Sequence, residues 1–210
     1  MNTRLYRSTT RLRLNIAHVA EVGVYHPETS NILGFINDGV RADLFEPDPD
    51  SIAMMTSAFG ALPNVTIHPV ALYFENTSIR LYRAGASTFA AALTSSPALD
   101  NDDYQPEESD AFEAEARTFD QFDPGTIDLL SIDTEGCEWY VLKFLKSRPL
   151  VISVETGWRK YENPHLPDIL DWMKTNGYRL WYKDRSDSVY IHNRTGIGRI
   201  QLWLDRLPWR

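Results

Sequence analysis

Asp133, Glu135 and Glu138 crowd three carboxylates around Gly136, directly after the apolar run Leu129-Leu130-Ser131-Ile132. A short apolar run stopped by turn residues reads as a strand buried on both faces of a parallel sheet. In such sheets ligands sit beyond the carboxyl ends of the strands. The three acids are therefore predicted to border a binding crevice. Glu135 and Glu138 also fit the first turn of a following helix, where unsatisfied N–H groups favour carboxylates. Asp133 fits that explanation less well, because an acid closing a buried strand is costly unless something pairs with it.

Glu155 ends a second apolar run, from Pro149, on what should be the neighbouring strand. Two strand-end carboxylates can share a hard divalent cation of the Mg²⁺ type, which prefers oxygen ligands and acidifies a bound hydroxyl. The competing role for Glu155 is an ion pair with Arg159 or Lys160. Asp133, Glu155 and the loop histidine His26 are the candidate proton acceptors, with His165 a further loop histidine on the same side. His18, at the start of its strand, is expected to lie away from the site. Trp158 and Tyr161 can line a substrate pocket or pack a lid.

Glu21-Val22-Gly23 ends the first predicted strand. Glycine lets the backbone approach a ligand closely, but Val24, Tyr25 and His26 stand where a dinucleotide fingerprint needs further glycines, which counts against NAD. Glu46 ends the second strand. A carboxylate there can take both hydroxyls of a ribose. It could instead cap the next helix, although Asp48 and Asp50 already supply capping oxygens.

These residues belong to a chain of 210, 43% hydrophobic and 12% aromatic, enough for one well-formed core. A net charge of −8 argues against a nucleic-acid binder, which needs a basic surface. The one basic cluster, Arg4, Arg7, Arg11 and Arg13, reads as an amino-terminal arm or edge helix over residues 1–16, with recognition of an acidic ligand or partner as the competing reading. No apolar stretch is long enough to span a bilayer and no signal-peptide pattern is visible, so a cytoplasmic protein without membrane contact is expected. The single cysteine, Cys137, excludes an internal disulfide and suits a small buried helix position.

The elements alternate. Strands are predicted at 18–24, 41–46, 64–72, 127–133 and 149–155, and helices at 31–37, 50–59, 138–145 and 167–176, with a closing hairpin at 178–183 and 188–192. That rhythm implies right-handed βαβ units, a mostly parallel sheet and helices on both faces. Between 75 and 115 it breaks: 78–83 alternates as a strand, and 95–110, rich in Asp, Glu, Pro and Ser, reads as a mobile loop or lid.

Glu21-x-Gly23, Phe45-Glu46-Pro47-Asp48, Val70-Ala71-Leu72 and above all the segment from Ile127 to Glu138 resemble the FkbM family of S-adenosylmethionine-dependent methyltransferases, over about Ala17 to Gly157. The resemblance implies a class I methyltransferase fold, Rossmann-like, with a mostly parallel seven-stranded sheet and a C-terminal antiparallel hairpin. It implies methyl transfer to a hydroxyl of a small molecule or glycan. By position, Glu21 and Gly23 would flank the methionine part of the cofactor, Glu46 the ribose, and Val70 and Ala71 the adenine. Asp133 would stand where cofactor, acceptor and any metal meet. The family's first motif commonly reads Asp-x-Gly-Ala-Asn-x-Gly. Here it is Glu21-Val22-Gly23-Val24-Tyr25-His26-Pro27, which leaves Thr29, Ser30 and helix N–H groups as possible partners for the methionine carboxylate. A binding module without turnover and an NAD(P)-linked reductase are the competing readings.

Overall fold

The computed structural model describes residues 2–85, 87–198 and 201–202. The chain opens with helix α1 (Arg4–Arg11), whose Thr3 side chain accepts from the Tyr6 amide as a cap. Strand β1 (His18–Val22), helix α2 (Leu33–Asn37), strand β2 (Arg41–Phe45), helix α3 (Pro49–Phe59) and strand β3 (Val65–His68) follow. Helix α3 begins where the sequence signals it, with Asp48 accepting from the Asp50 amide at 2.9 Å and Pro49 in the first turn.

The strand expected over 64–72 is two strands. Pro69, which has no N–H to donate, breaks the run, and Ala71–Leu72 (β4) leaves the central sheet for a second one. That second sheet holds β5 (Thr77–Ala84), β6 (Ser87–Ala90) and, after helix α4 (Pro97–Asn101), β7 (Ala111–Arg117), in the order β4-β7-β5-β6. The acidic 95–110 segment is anchored within it: Ser96 and Ala98 are buried, and Asn101 Oδ1 accepts from the Lys160 amide at 2.9 Å and the Tyr161 amide at 3.2 Å.

The alternation then resumes with β8 (Leu129–Ile132), α5 (Glu138–Lys143), β9 (Val151–Glu155), the small hairpin β10 (Gly157–Trp158) and β11 (Tyr161–Glu162), α6 (Leu166–Thr175), β12 (Tyr178–Asp184) and β13 (Asp187–His192). The central sheet has seven strands in the order β12-β13-β9-β8-β1-β2-β3. The five from β9 to β3 are parallel, and β12 and β13 form the antiparallel closing hairpin. This is the class I methyltransferase architecture.

Strand residues alternate between two apolar layers, as the period of two requires. Val19, Ala42, Leu44 and Leu129 pack with α1, α2 and α3 through Leu5, Phe35, Ile36 and Met55. Ala20, Val22, Leu130 and Ile132 pack with α5 and α6 through Val141, Leu142, Ile169 and Met173. Helix α1 is therefore part of the fold. Gly34 shows how closely it docks, since a Cβ there would lie 2.5 Å from the Tyr6 ring. No helix among the described residues is long and apolar enough to cross a membrane.

Candidate active site

The strand register builds the site. Val22 stands opposite Phe45 on one side and Ile132 on the other, so Gly23, Glu46 and Asp133 emerge abreast at the carboxyl edge. Ile132 pairs with Val154, and Glu155 pairs with Asp187, which extends the row across two more strands. Gly23 has φ +83°, and a Cβ on it would fall 1.7 Å from the Asp133 carbonyl oxygen. Only glycine lets these two turns touch.

Above this edge lies a cavity of about 680 Å³, a size suited to a cofactor with a small second ligand. Val70 to Tyr73, Glu46 and Gly23 line it, and Asp133, Glu135 and Asp187 make its acidic part. The Glu46 carboxylate accepts from the Asp48 amide at 2.8 Å and the Val24 amide at 2.9 Å. Each oxygen keeps lone-pair capacity for a further donor. Glu21 accepts from the Ser30 hydroxyl at 2.5 Å and the Asn31 amide at 2.8 Å. Burial pushes both acids up to about 7 despite these bonds.

The carboxyl cluster divides into a satisfied and an unsatisfied part. Glu138 Oε1 accepts from the Thr134 amide (2.8 Å), the Thr134 hydroxyl (3.1 Å) and the Gly136 amide (3.2 Å), while Oε2 takes the Asn163 amide group. Glu138 thus ties down the turn that presents Asp133 and Glu135. By contrast Asp133 Oδ1, Glu135 Oε2, Glu155 Oε2 and the Tyr161 hydroxyl are buried with no hydrogen-bond partner among the described residues. Burial, then the neighbouring Glu135, holds the Asp133 carboxyl well above the usual range. Burial and Asp133 push Glu155 up to about 11. Burial takes Glu135 to about 7 and Asp187 to about 6. Ligand oxygens of Asp133, Glu138 and Glu155 lie within 4.8 Å of one another.

The family model for the methyltransferase FkbM domain matches residues 19–180. The chain belongs to the FkbM methyltransferase family. It is an S-adenosylmethionine-dependent methyltransferase. No curated protein matches the chain. Among solved structures, a ribosomal protein L11 methylase from Lactobacillus delbrueckii subsp. bulgaricus is similar over 89% of this chain and 74% of its own, at 11% identity and a TM-score of 0.45. A precorrin-6y C5,15-methyltransferase from Geobacter metallireducens is similar over 89% of this chain and 84% of its own, at 16% identity and a TM-score of 0.41. A 1,6-didemethyltoxoflavin-N1-methyltransferase from Burkholderia thailandensis, solved with S-adenosylhomocysteine bound, is similar over 91% of this chain and 79% of its own, at 10% identity and a TM-score of 0.44.

In this FkbM methyltransferase the cavity gathers Glu21, Gly23, Glu46, Val70, Ala71 and Asp133, whereas Glu155 lies behind Asp133 and reaches it from the neighbouring strand. Neither Arg159 nor Lys160 takes up Glu155: Arg159 stacks on Trp158, and Lys160 Nζ is 3.6 Å from Asp103. His26 is not among the cavity-lining residues; its ring packs on Tyr25 and stands 3.9 Å from Glu28. His165 is likewise outside, 3.6 Å from Asp168. Trp158 is exposed, and Cys137 is buried with its thiol pushed up by burial. Three contributors take a place that the sequence does not assign them. Asp187 reads there as part of a turn, and only its antiparallel pairing with Glu155 brings it to the edge. Arg4 and Arg7 read as a surface arm, yet both line the cavity.

Proposed function

We propose that this methyltransferase transfers the methyl group of S-adenosylmethionine to a hydroxyl oxygen of a small molecule or glycan. The observation that carries this reading is Asp133, a buried carboxyl with one free oxygen and a raised pKa, at the cavity wall beside Gly23. Methyl transfer from a sulfonium is an in-line displacement. The acceptor oxygen forms a bond to the methyl carbon as the carbon–sulfur bond breaks, the electron pair returns to sulfur, and the hydroxyl proton must leave. A buried carboxyl whose pKa is raised is a stronger base than a solvated one once ionised, and Asp133 has the open oxygen on which to take the proton.

The cofactor then lies with its adenine against Val70 and Ala71, its ribose hydroxyls donating to Glu46, and its methionine part at Gly23 and Glu21. Its positive sulfonium faces an acidic wall, which favours binding electrostatically. The same wall fits a divalent cation held by Asp133 and Glu155, with Glu138 as third ligand only if it gives up the Asn163 contact. When bound, such an ion would lower the pKa of a hydroxyl in contact with it. The net charge of −8 supports a small acceptor over a nucleic acid.

Calorimetry should register S-adenosylmethionine and S-adenosylhomocysteine at micromolar affinity and no NAD. Incubation with hydroxylated small molecules and oligosaccharides should add one methyl group to an acceptor oxygen, read by mass spectrometry. Activity abolished by EDTA and restored by Mg²⁺ or Mn²⁺ would support the cation, and activity indifferent to EDTA would leave Asp133 as the direct base. Transfer exclusively to nitrogen or carbon, or cofactor binding with no transfer at all, would overturn the hydroxyl assignment.

A further inference from the structure

The FkbM match begins at residue 19, so α1 lies outside it, yet Asn2, Thr3, Arg4 and Arg7 line the same cavity as Gly23 and Glu46. The helix is fastened there. Thr3 Oγ1 donates to the Asn31 carbonyl at 2.9 Å, Leu5 is buried in the core, and Arg4 stacks 4.1 Å from the Tyr182 ring centroid while donating to the Lys183 carbonyl at 3.4 Å. Arg7 is one turn further along the same face of the helix. Its Nη1 donates to the Asn2 carbonyl at 2.6 Å, which leaves most of the five guanidinium N–H donors for something else.

A cofactor laid from Val70 past Glu46 to Gly23 crosses the strands in the order β3, β2, β1, which points its amino-acid tail toward α1. That tail carries a carboxylate and an ammonium. The acids Glu21, Asp133 and Asp187 suit the ammonium, but the nearby loop has little left for the carboxylate. The Val24 amide is given to Glu46, the Ser30 hydroxyl and Asn31 amide to Glu21, and the Thr29 hydroxyl to the His26 carbonyl at 2.9 Å. Besides Arg4, which is already stacked and bonded, the cations lining the cavity are Arg7, on a helix fastened to the core, and Arg185, on the turn between β12 and β13; the fastened helix holds Arg7 in place and favours it. We propose that Arg7, presented by α1, binds the α-carboxylate of the cofactor's methionine tail, so that a helix outside the family match completes the cofactor site. This rests on the S-adenosylmethionine reading above.

The test compares two ligands: S-adenosylhomocysteine, and methylthioadenosine, which keeps the nucleoside and loses the amino-acid tail. Calorimetry on the full chain should find Arg7→Ala binding S-adenosylhomocysteine about tenfold or more weakly, the scale of one lost charge-assisted contact, with methylthioadenosine affinity unchanged. Arg7→Lys should recover part of the loss. Unaltered methylthioadenosine binding also reports that the variant is folded. Equal weakening of both ligands, or no weakening of either, would overturn the assignment of Arg7 while leaving the cofactor reading intact. So would a change confined to the acceptor KM, which would make Arg7 an acceptor contact. If wild-type protein binds neither ligand, the cofactor reading itself falls, and this proposal with it.

Discussion

Asp43 and Asp133 lie on either side of β1, and they differ in one respect that separates scaffold from site. Asp43 is 5% exposed, and both of its oxygens are taken: His18 Nε2 stands 2.6 Å from Oδ2 and His68 Nε2 2.9 Å from Oδ1. Burial alone would raise its pKa, but the two histidines win and hold the carboxyl well below the usual range. Asp133 has a free oxygen and acidic neighbours, and its pKa moves the other way. A buried acid whose donors are supplied by the fold stabilises the fold. One left short of donors has its partner still to come, from a ligand, a proton or an ion.

The largest effect should come from breaking the satisfied member. Asp43→Ala leaves His18 and His68 without their acceptor and should lower unfolding stability by about 3–5 kcal/mol in denaturant titrations. Cofactor affinity of the remaining folded protein should hardly change. A loss below about 1 kcal/mol would mean that the histidine pairing contributes little.

Asp133→Asn should do the reverse. It conserves volume and takes one acid out of a crowded cluster of carboxyls, so the melting temperature should hold or rise, while turnover on the identified acceptor should drop about 10²-fold. Full turnover in this variant would end the case for Asp133 as proton acceptor.

Glu46→Ala sharpens the comparison within the cavity, because Glu46 has two backbone donors yet keeps capacity for ribose. S-adenosylhomocysteine affinity should weaken by about 1–3 kcal/mol. Unchanged affinity would confine Glu46 to holding Val24 and Asp48.

The smallest effect is in the pH dependence of the ligand-free protein. Glu21, Glu46 and Asp187 have folded pKa values raised to about 7, 7 and 6, so between roughly pH 4.5 and 7 the native state binds more protons than the unfolded chain. Their stabilising contribution is complete below that window and is lost as pH rises through it. Glu155 carries the same trend further, toward about 11. Asp43 acts with opposite sign, its contribution being lost only as pH falls below the unfolded carboxylate range. Melting temperature should therefore decline from mildly acidic to neutral pH, and Glu155→Gln should flatten the decline above about pH 7. A melting temperature that climbs steadily from about pH 5 to 8 would contradict the pKa directions at the site.

Local sequence determined the strands that end in Glu21, Glu46, Asp133 and Glu155, because fully buried parallel strands must be short apolar runs, and the chain leaves the sheet where each run stops. It also determined the start of α3, where Asp48 and Pro49 supply the cap and the first turn. It could not reveal β7: Ala111–Arg117 is built largely of alanine, glutamate and arginine, good helix formers, and is extended only because β4 and β5 pair with it. Tertiary structure alone decided which acids are satisfied. Whether Asp43 finds two histidines and Asp133 finds none depends on which strands lie side by side and in what register; Asp187 joins the cavity for the same reason, and Arg7 through the docking of α1. Charge and burial can be anticipated from neighbours along the chain, but hydrogen-bond partners come from residues brought together across the sheet.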